Sequence, residues 1–176
     1  MKLHPFITAR EIDLLNRELG EQISRDYKEL MKPGEELLVI VTLKGAMYFA
    51  SDLTRYITVP MKLDFVRLAS YGAGTKTTGN VRILKDIESN PENQHLLVVD
   101  EIADSGRTLK FYGERLLSQN PKSLKLCALL SKPSRREVEI EVDYLGKDVE
   151  DKFLVGYGLD FNEHYRNLKE IYYVEN

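Results

Sequence analysis

Apolar residues near the start of the chain recur at intervals of three and four, which is the spacing of one face of a helix. The residues of this series are Ile12, Leu15, Leu19, Ile23, Tyr27 and Leu30. Thr8 and Glu11 have the Thr-x-x-Glu spacing of a capping box, which predicts the start of the helix, and Pro33-Gly34 predicts its end. Two further helices are predicted, over about 46–56 and about 106–117.

Short apolar runs alternate with these helices and predict strands. Continuous runs, typical of strands covered on both faces, lie at 37–41, 96–99 and 123–130, and weaker strand patterns lie at 61–68, 81–84 and 153–155. Between residues 137 and 144, Val138, Ile140 and Val142 alternate with acidic residues, which predicts a strand with one face in solvent. Strands that alternate with helices indicate an α/β fold with a mostly parallel sheet flanked on both sides.

The stretch Ser70–Asn80, SYGAGTKTTGN, is rich in glycine and hydroxyl residues and predicts a mobile loop within a hairpin. The sequence contains no internal repeat, low-complexity segment or linker, so we expect one domain over residues 1–176. Within it we expect a core over about 37–150 and a small subdomain made from the chain ends, about 1–34 and 151–176. A polar tail is expected after the loop that carries Asp160.

The composition argues against several functional classes. The 176 residues are 43% hydrophobic, enough for one well-packed domain, and the formal net charge of -3 argues against a nucleic-acid-binding protein. No apolar run reaches the roughly 20 residues needed to span a bilayer, and the first residues, MKLHPFITAR, lack the apolar core of a signal peptide. We therefore expect a soluble, cytoplasmic protein that binds neither nucleic acid nor a membrane.

The cysteine and histidine residues give no sign of a catalytic thiol or a metal centre. Cys127, the single cysteine, lies in the strand-like run LKLCALL, where we expect a buried thiol rather than a nucleophile. His4, His95 and His164 are far apart in sequence and share no metal-ligand spacing. We expect all three to be surface or structural residues.

The run LLVVDEIADSGRTL, residues 96–109, carries the strongest chemical signal. An apolar strand leads to two adjacent carboxylates, Asp100 and Glu101, and Asp104 stands at the entrance to a Ser-Gly-Arg-Thr turn that opens a helix. Backbone N–H groups at a helix start favour a bound phosphate, and Gly106 permits the turn geometry. Carboxylates beside such a turn suit ribose hydroxyls or a metal ion. The run therefore predicts a site for a phosphorylated sugar at the carboxyl edge of the sheet.

Three other predicted strand ends carry candidate binding residues, each with an alternative. Lys44 and Gly45 follow the first buried run, where they either meet an anionic ligand or form a helix start with a solvated lysine. Lys132 follows a later strand and either donates to a ligand carbonyl or is solvated. Phe153, in FLVGYGLD, either stacks on a flat ligand or packs in the core.

Several segments, taken in order, resemble one enzyme family. VVDEIADSGRT is similar to the phosphoribosyl-diphosphate signature of the type I phosphoribosyltransferases. Within that group, Leu43-Lys44-Gly45 resembles the pyrophosphate loop of the hypoxanthine-guanine phosphoribosyltransferases, Ser70-Tyr71 resembles their flexible catalytic loop, and residues 153–168 resemble their C-terminal segment. Lys132 falls where that family has its purine-reading lysine. The resemblance implies a type I phosphoribosyltransferase-like α/β fold, with a mostly parallel central sheet flanked by helices and a small hood subdomain from the chain ends.

This resemblance implies a purine salvage enzyme. Such an enzyme would transfer the 5-phosphoribosyl group from phosphoribosyl diphosphate to N9 of hypoxanthine, and of guanine, with Mg²⁺ as cofactor and pyrophosphate as product. A homodimer or homotetramer is implied as well. Two alternatives stay open: a phosphoribosyl-diphosphate sensor that regulates transcription, although no added DNA-binding segment or basic face stands out, and a related enzyme that prefers xanthine or another base.

The resemblance also implies a role for each matching residue. Asp104 is implied as the general base for the proton at purine N7, and Asp100 and Glu101 as ligands of the ribose hydroxyls and of a magnesium ion. The other implied contacts are Ser105, Gly106, Arg107 and Thr108 with the 5′-phosphate; Lys44, Gly45 and Arg166 with pyrophosphate; Ser70 and Tyr71 in the closing loop; and Lys132, Phe153, Leu154 and Asp160 with the purine, the Asp160 side chain also reaching a second magnesium ion. In that family the Leu-Lys peptide of this loop can be cis, and the sequence does not decide whether Leu43-Lys44 is. The acidic pair departs from the family, which usually has Glu-Asp where this chain has Asp-Glu.

Overall fold

The computed structural model describes residues 2–71 and 80–175. The strands are β1 (Lys2–Ile7), β2 (Leu37–Leu43), β3 (Met61–Tyr71), β4 (Asn80–Lys85), β5 (His95–Ala103), β6 (Ser123–Ser131), β7 (Tyr144–Asp148), β8 (Leu154–Val155) and β9 (Ile171–Glu175). The helices are α1 (Ala9–Leu30), α2 (Met47–Thr54) and α3 (Arg107–Leu117), with a short 3₁₀ turn at Pro133–Arg135. None of the described helices is long and apolar enough to cross a membrane.

The larger sheet has six strands in the order β4-β3-β2-β5-β6-β7. The strands from β3 to β7 in this order run parallel to their neighbours, and β4 pairs antiparallel with β3. This arrangement confirms the predicted α/β fold with a mostly parallel sheet. Because central parallel strands are covered on both faces, β2 is buried along nearly its whole length.

Successive residues of the central strands enter two hydrophobic clusters, one on each face of the sheet. In β2, Val39 packs with α1 and α2, whereas Ile40 packs with α3. In β5, Leu97 belongs to the cluster with α1 and α2, and Leu96 belongs to the cluster with α3. An extended backbone points successive side chains to opposite faces, so each continuous apolar run contributes to both cores. The polar residues that follow these runs therefore collect at the edge of the sheet.

The two ends of the chain pair with each other in a second sheet, β1-β9-β8. β1 and β9 run antiparallel, with Leu3 opposite Val174 and Ile7 opposite Ile171. The predicted polar tail is therefore wrong, because β9 lies there. Both strands are only partly buried, so neither has a strong hydrophobic pattern, and each depends on a partner from the other end of the chain. The division of the chain into a core and a small subdomain stays a prediction.

α1 begins with the predicted capping box. The backbone N–H of Glu11 donates to Thr8 Oγ1 at 3.3 Å, and the N–H of Thr8 donates to the Glu11 carboxylate at 2.8 Å. The bonds from Thr8 lower the pKa of Glu11, because they stabilise its charged form. Ile12 and Ile23 lie on the buried face as predicted, whereas Leu30 at the end of the helix is exposed.

The predicted strand at 137–144 is wrong, since this segment forms no ladder and β7 begins at its last residue. Ile140 and Val142 are half-buried and pack against the hydrophobic cluster that contains α3. The alternation therefore identified the buried side of the segment but not its hydrogen bonding. The N–H of Glu137 donates instead to the backbone carbonyl of Ser105 at 2.9 Å.

Strands β3, β4 and β5 are longer than predicted. β5 continues through Asp100 and Glu101 to Ala103, so the two acids lie within the strand rather than after it. Ser70 and Tyr71 belong to β3 and Asn80 to β4, and these two strands form the predicted hairpin. Residues 72–79 of the predicted mobile loop lie outside the described residues.

The expectations for the cysteine and the histidines are confirmed. Cys127 is a buried free thiol, and burial raises its pKa. His95 is buried, with one ring nitrogen 3.0 Å from the Glu35 carboxylate. His4 pairs with a carboxylate of β9, and His164 is exposed. These histidines therefore have structural or surface positions.

Replacing Glu35 with glutamine should destabilise the fold at neutral pH, and this loss of stability should shrink as the pH falls towards 2. The Glu35 carboxylate accepts hydrogen bonds from Lys122 Nζ, from the backbone N–H of Lys32 and from the ring of His95, which lower its pKa to about 2. Because the folded-state pKa is lowered, this stabilisation is present above the ordinary pKa of 4.5 and is lost as the pH falls towards 2. Urea unfolding at pH 7 and at pH 3 measures the effect.

Glu36→Gln is the matched control for this experiment. Glu36 is the next residue in the chain and is exposed. Its carboxylate oxygen Oε2 lies 4.0 Å from Lys62 Nζ, a long distance for an ion pair. Exposed pairs at such distances contribute little to stability. An equal loss in both variants at pH 7, or a loss in the Glu35 variant that does not shrink at pH 3, would contradict the prediction.

Candidate active site

A cleft of about 470 Å³ opens at the carboxyl edge of the larger sheet. Its walls come from the ends of β2, β3 and β5, from the turn that leads into α3 and from the loop after β8. The predicted site residues that line it are Lys44, Gly45, Ser70, Asp100, Glu101, Asp104, Ser105, Gly106, Thr108, Asp160 and Arg166. The cleft lies where parallel α/β sheets bind their ligands, outside the carboxyl ends of the strands.

The turn between β5 and α3 has the features of an anion-binding site. Gly106 has a φ of +84°, a left-handed conformation that glycine adopts without steric cost. It occupies the N-cap position of α3 and offers no side chain to the first N–H groups of the helix. These donors and the positive end of the helix dipole favour an anion at the turn. The backbone carbonyl of Ser105 accepts a hydrogen bond from the N–H of Glu137, which ties the turn to the segment before β7.

Asp100 and Glu101 are adjacent but have different surroundings. Asp100 Oδ1 accepts a hydrogen bond from the Thr42 hydroxyl at 2.6 Å and another from the backbone N–H of Glu101 at 3.0 Å. The Glu101 carboxyl group lies against Gly45, and a Cβ atom added to Gly45 would lie 1.9 Å from Glu101 Oε1. Burial and the neighbouring Asp100 charge raise the pKa of Glu101 well above its usual range. Such a pair of acids favours a bound cation or a retained proton.

Two cations meet on the wall formed by the end of β2 and the loop after β8. The Leu43-Lys44 peptide is cis, and Lys44 Nζ lies 2.6 Å from one carboxylate oxygen of Glu163. Arg166 Nη2 lies 3.1 Å from the other oxygen of Glu163 and 3.0 Å from the Asp160 carboxylate. Hydrogen bonds from Lys44 and Arg166 lower the pKa of Glu163. Cations that converge in this way suit a ligand with several negative charges.

The loop after β8 packs directly on the loop that carries Lys44. Gly158 has a φ of +99°, and a Cβ atom on it would lie 1.9 Å from the carbonyl oxygen of Gly45. Arg166 Nη1 donates to the carbonyl of Gly158 at 2.7 Å. The contact between the two loops therefore requires a glycine, and the same loop holds the arginine in place.

The residues expected to read a purine lie at the same edge of the sheet. Lys132 follows β6 and is buried, and its Nζ donates to the carbonyl of Lys152 at 2.7 Å, so the solvated alternative is wrong. Phe153 is 50% exposed and meets Phe161 edge to face, so the alternative of core packing is wrong as well. Leu154 is buried in β8.

A family model described as a phosphoribosyl transferase domain matches residues 8–162. The chain belongs to the phosphoribosyltransferase family. It is 45% identical over 166 residues to the hypoxanthine-guanine phosphoribosyltransferase of Mycobacterium tuberculosis strain H37Rv, a match that covers 94% of this chain and 82% of the relative. It is 41% identical to the hypoxanthine phosphoribosyltransferase of Buchnera aphidicola, with 94% and 92% covered.

Solved structures of phosphoribosyltransferases agree with the fold. The crystal structure of a hypoxanthine phosphoribosyltransferase from Staphylococcus aureus matches with a TM-score of 0.91 at 40% identity, covering 98% of this chain and 91% of that chain. A hypoxanthine-guanine phosphoribosyltransferase from Bacillus anthracis matches with a TM-score of 0.89 at 42% identity, covering 98% of both chains. The resemblance found in the sequence motifs is therefore confirmed.

Some predicted site residues of this phosphoribosyltransferase do not line the cleft. They are Arg107, Lys132, Phe153 and Leu154. The Arg107 side chain pairs with Glu137. The side chain of Tyr71 lies outside the described part of the structure. The ligand contacts assigned to all of these residues remain predictions.

Several polar residues of the phosphoribosyltransferase site were not predicted from the sequence. Thr42, Arg67 and Glu163 line the cleft, and Arg135 pairs with Asp104 beside it. Thr42 lies in an apolar run that indicates only a strand. Arg135 lies 2.8 Å from Asp104, and both it and Glu163 come from polar stretches where a charged side chain is normally solvated. No local pattern marks these residues, because their partners are brought to them by the fold.

Proposed function

We propose that this phosphoribosyltransferase is a purine salvage enzyme. It transfers the 5-phosphoribosyl group of phosphoribosyl diphosphate to N9 of hypoxanthine and of guanine, giving IMP or GMP and pyrophosphate. The observation that carries the proposal is the cleft, where a turn suited to an anion, two adjacent acids and the cationic side chains of Lys44, Arg67 and Arg166 surround one cavity. A substrate with a 5′-phosphate, ribose hydroxyls and a diphosphate has the complementary groups. The names of the curated relatives support the same reaction.

In the proposed reaction, the bond between the anomeric carbon and pyrophosphate breaks, and the carbon becomes oxocarbenium-like before N9 bonds to it. Lys44 and Arg166 stabilise the negative charge that develops on pyrophosphate. The turn Ser105–Thr108 holds the 5′-phosphate through its backbone N–H groups. Asp104 accepts the proton from N7 as the bond at N9 forms, so that the purine base of the product nucleotide carries no charge.

The carboxylates of the cleft suit Mg²⁺ that is shared with the substrate. Within residues 2–71 and 80–175, no three acidic, histidine or cysteine side chains are grouped to hold a metal ion. Mg²⁺ commonly takes only one or two carboxylates and completes its shell with water and substrate phosphates. The raised pKa of Glu101 beside Asp100 fits such a site, because a cation relieves the repulsion between the two acids. We assign Asp100 and Glu101 to one ion and Asp160 to a second, and bound Mg²⁺ would neutralise charge on the diphosphate.

We also propose that the chain assembles as a homodimer or homotetramer. Met47 of α2 and Leu63 and Phe65 of β3 are exposed and line one apolar groove. Contact with a second copy of the chain would remove this apolar surface from water. Sedimentation velocity of the purified protein gives its mass in solution, and a monomer would contradict the assignment.

One assay tests the proposed reaction against its alternatives. The protein is incubated with phosphoribosyl diphosphate, Mg²⁺ and each of hypoxanthine, guanine and xanthine, and nucleotide formation is followed. We expect IMP and GMP. Xanthosine monophosphate as the preferred product would replace the substrate assignment. Binding of phosphoribosyl diphosphate without any nucleotide formation would favour the alternative of a regulatory sensor.

Replacing Lys132 with alanine should weaken purine binding far more than phosphoribosyl diphosphate binding. A buried lysine that donates to the 6-oxo group contributes to purine recognition, and its loss leaves that oxygen without a charged partner. We expect KM for hypoxanthine to rise about 10–100-fold, which corresponds to the roughly 1.5–3 kcal/mol of a hydrogen bond to a charged group. Steady-state kinetics with each substrate varied in turn measures both values. Equal losses for the two substrates would remove Lys132 from this role.

A further inference from the structure

We propose that Arg135 positions the general base Asp104 and ties it to the purine-reading Lys132. The inference rests on the proposed function and adds a residue to it that the sequence did not mark. Arg135 is the last residue of the 3₁₀ turn that follows Lys132. Two residues later, the backbone N–H of Glu137 donates to the carbonyl of Ser105, the residue after Asp104. Arg135 therefore lies on a segment that joins Lys132 to the turn of Asp104.

The Arg135 guanidinium contacts one oxygen of Asp104 and leaves the other for the purine. Arg135 Nε lies 2.8 Å from Asp104 Oδ1, which is buried, whereas the Asp104 side chain as a whole is 43% exposed and lines the cleft. We therefore assign the N7 proton to Oδ2, the oxygen that Arg135 does not contact. Within the described ranges, Arg135 is the one cation paired with Asp104.

Arg135 also reaches a second carboxylate, that of Asp151. Arg135 Nη1 lies 3.4 Å from Asp151 Oδ1, and the same oxygen lies 3.5 Å from Lys132 Nζ. Asp104, Arg135, Asp151 and Lys132 thus form a row of alternating charges. Because the guanidinium group is planar and rigid, an arginine that meets two carboxylates limits their relative positions.

The row matches one edge of a 6-oxopurine. N7 and the 6-oxo group lie on the same edge of the ring. Under the proposed function, Asp104 takes the proton at N7 and Lys132 donates to the 6-oxo group, so the row through Arg135 and Asp151 sets the spacing of the two groups that meet this edge. A displacement of about 1 Å in an active site can cost roughly 10²-fold in rate. A residue that fixes this spacing therefore influences turnover without touching the substrate.

The proposed role and a purely structural role predict different results. The side chain of Arg135 is 52% exposed, and exposed ion pairs contribute little to folding stability. Under the proposed role, loss of Arg135 therefore changes turnover and purine binding and leaves the stability of the fold almost unchanged, whereas a structural role would lower that stability. Arg115 provides a matched control, because it also forms a partly exposed ion pair, with Asp86, and does not line the cleft.

The test compares Arg135→Gln, Arg135→Lys and Arg115→Gln with the wild type. Steady-state kinetics gives kcat and KM for each substrate, and thermal unfolding reports stability. Equilibrium titration of enzyme saturated with phosphoribosyl diphosphate and Mg²⁺ measures binding of 9-deazahypoxanthine, which keeps the N7–H donor but has carbon in place of N9. We expect Arg135→Gln to lower kcat and analogue affinity by about tenfold or more, with KM for phosphoribosyl diphosphate unchanged, in line with a small displacement of Asp104. Arg135→Lys should recover part of the loss, and Arg115→Gln should behave as wild type.

Two results would overturn the inference. One is full turnover and full analogue binding by Arg135→Gln beside an active wild type. The other is a loss in Arg135→Gln that appears equally in KM for phosphoribosyl diphosphate or in the unfolding midpoint, because that pattern indicates a phosphate-site or structural role. Failure of the unaltered protein to form any nucleotide in the same assay would instead overturn the proposed function, and this inference with it.

Discussion

Replacing Asp104 with asparagine is expected to lower turnover by about 10²–10⁴-fold, the range that a general base contributes, and to leave substrate binding intact. Asparagine has nearly the same shape, and its amide oxygen still accepts a hydrogen bond from N7, but it cannot take the proton. The carboxylate lines the cleft at the entrance to the turn that we propose binds the 5′-phosphate, so the substitution leaves the backbone donors of that turn in place. Rapid-quench or steady-state assays of IMP formation measure the loss.

Asp143→Asn is the control for this substitution. Asp143 is exposed and accepts a hydrogen bond from the backbone N–H of Leu126 at 2.8 Å, which an asparagine oxygen can also accept. It lies outside the cleft lining, so we expect turnover within twofold of wild type, since surface substitutions of this kind change little. Unchanged turnover in the Asp104 variant, or loss of phosphoribosyl diphosphate binding in it, would remove Asp104 from the role of base.

The parts of the fold that sequence could predict are those fixed by local pattern. The capping box of Thr8 and Glu11, the continuous apolar runs of β2 and β5 and the turn at Gly106 each depend on residues close together in the chain. Parallel strands then bring their carboxyl ends to one edge, which explains why Lys44 and Asp100 could be assigned to one site before the structure was known.

The parts that sequence could not predict depend on partners from distant segments. β1 and β9 are half-buried strands that pair across the whole chain, so neither shows a clear period by itself. The segment before β7 has the alternation of a strand, yet its Glu137 N–H bonds to a turn rather than to a neighbouring strand. Arg135 and Glu163 likewise become part of the site only because the fold places Asp104 and Lys44 beside them.

Gly158→Ala is expected to disrupt the packing between the loop that carries Lys44 and the loop that carries Arg166. The left-handed backbone at Gly158 costs a side-chain-bearing residue roughly 1–3 kcal/mol. The new Cβ would also lie 1.9 Å from the carbonyl oxygen of Gly45, a backbone atom that cannot rotate away, and relieving such overpacking typically costs about 1–3 kcal/mol more. Since the clash separates the loop of Arg166 from the loop of Lys44, we expect KM for phosphoribosyl diphosphate to rise at least about tenfold.

Gly34→Ala separates the two causes, because Gly34 has a similar φ of +86° but no atom within 4 Å of the added Cβ. This control should show only the cost of the backbone conformation in urea unfolding, with KM for phosphoribosyl diphosphate unchanged. The difference between the two variants then measures the loop contact itself. If Gly158→Ala were no less stable than Gly34→Ala and bound phosphoribosyl diphosphate normally, the two loops would move apart without cost. The close packing of Gly158 on Gly45 would then have no part in holding Lys44 and Arg166 together.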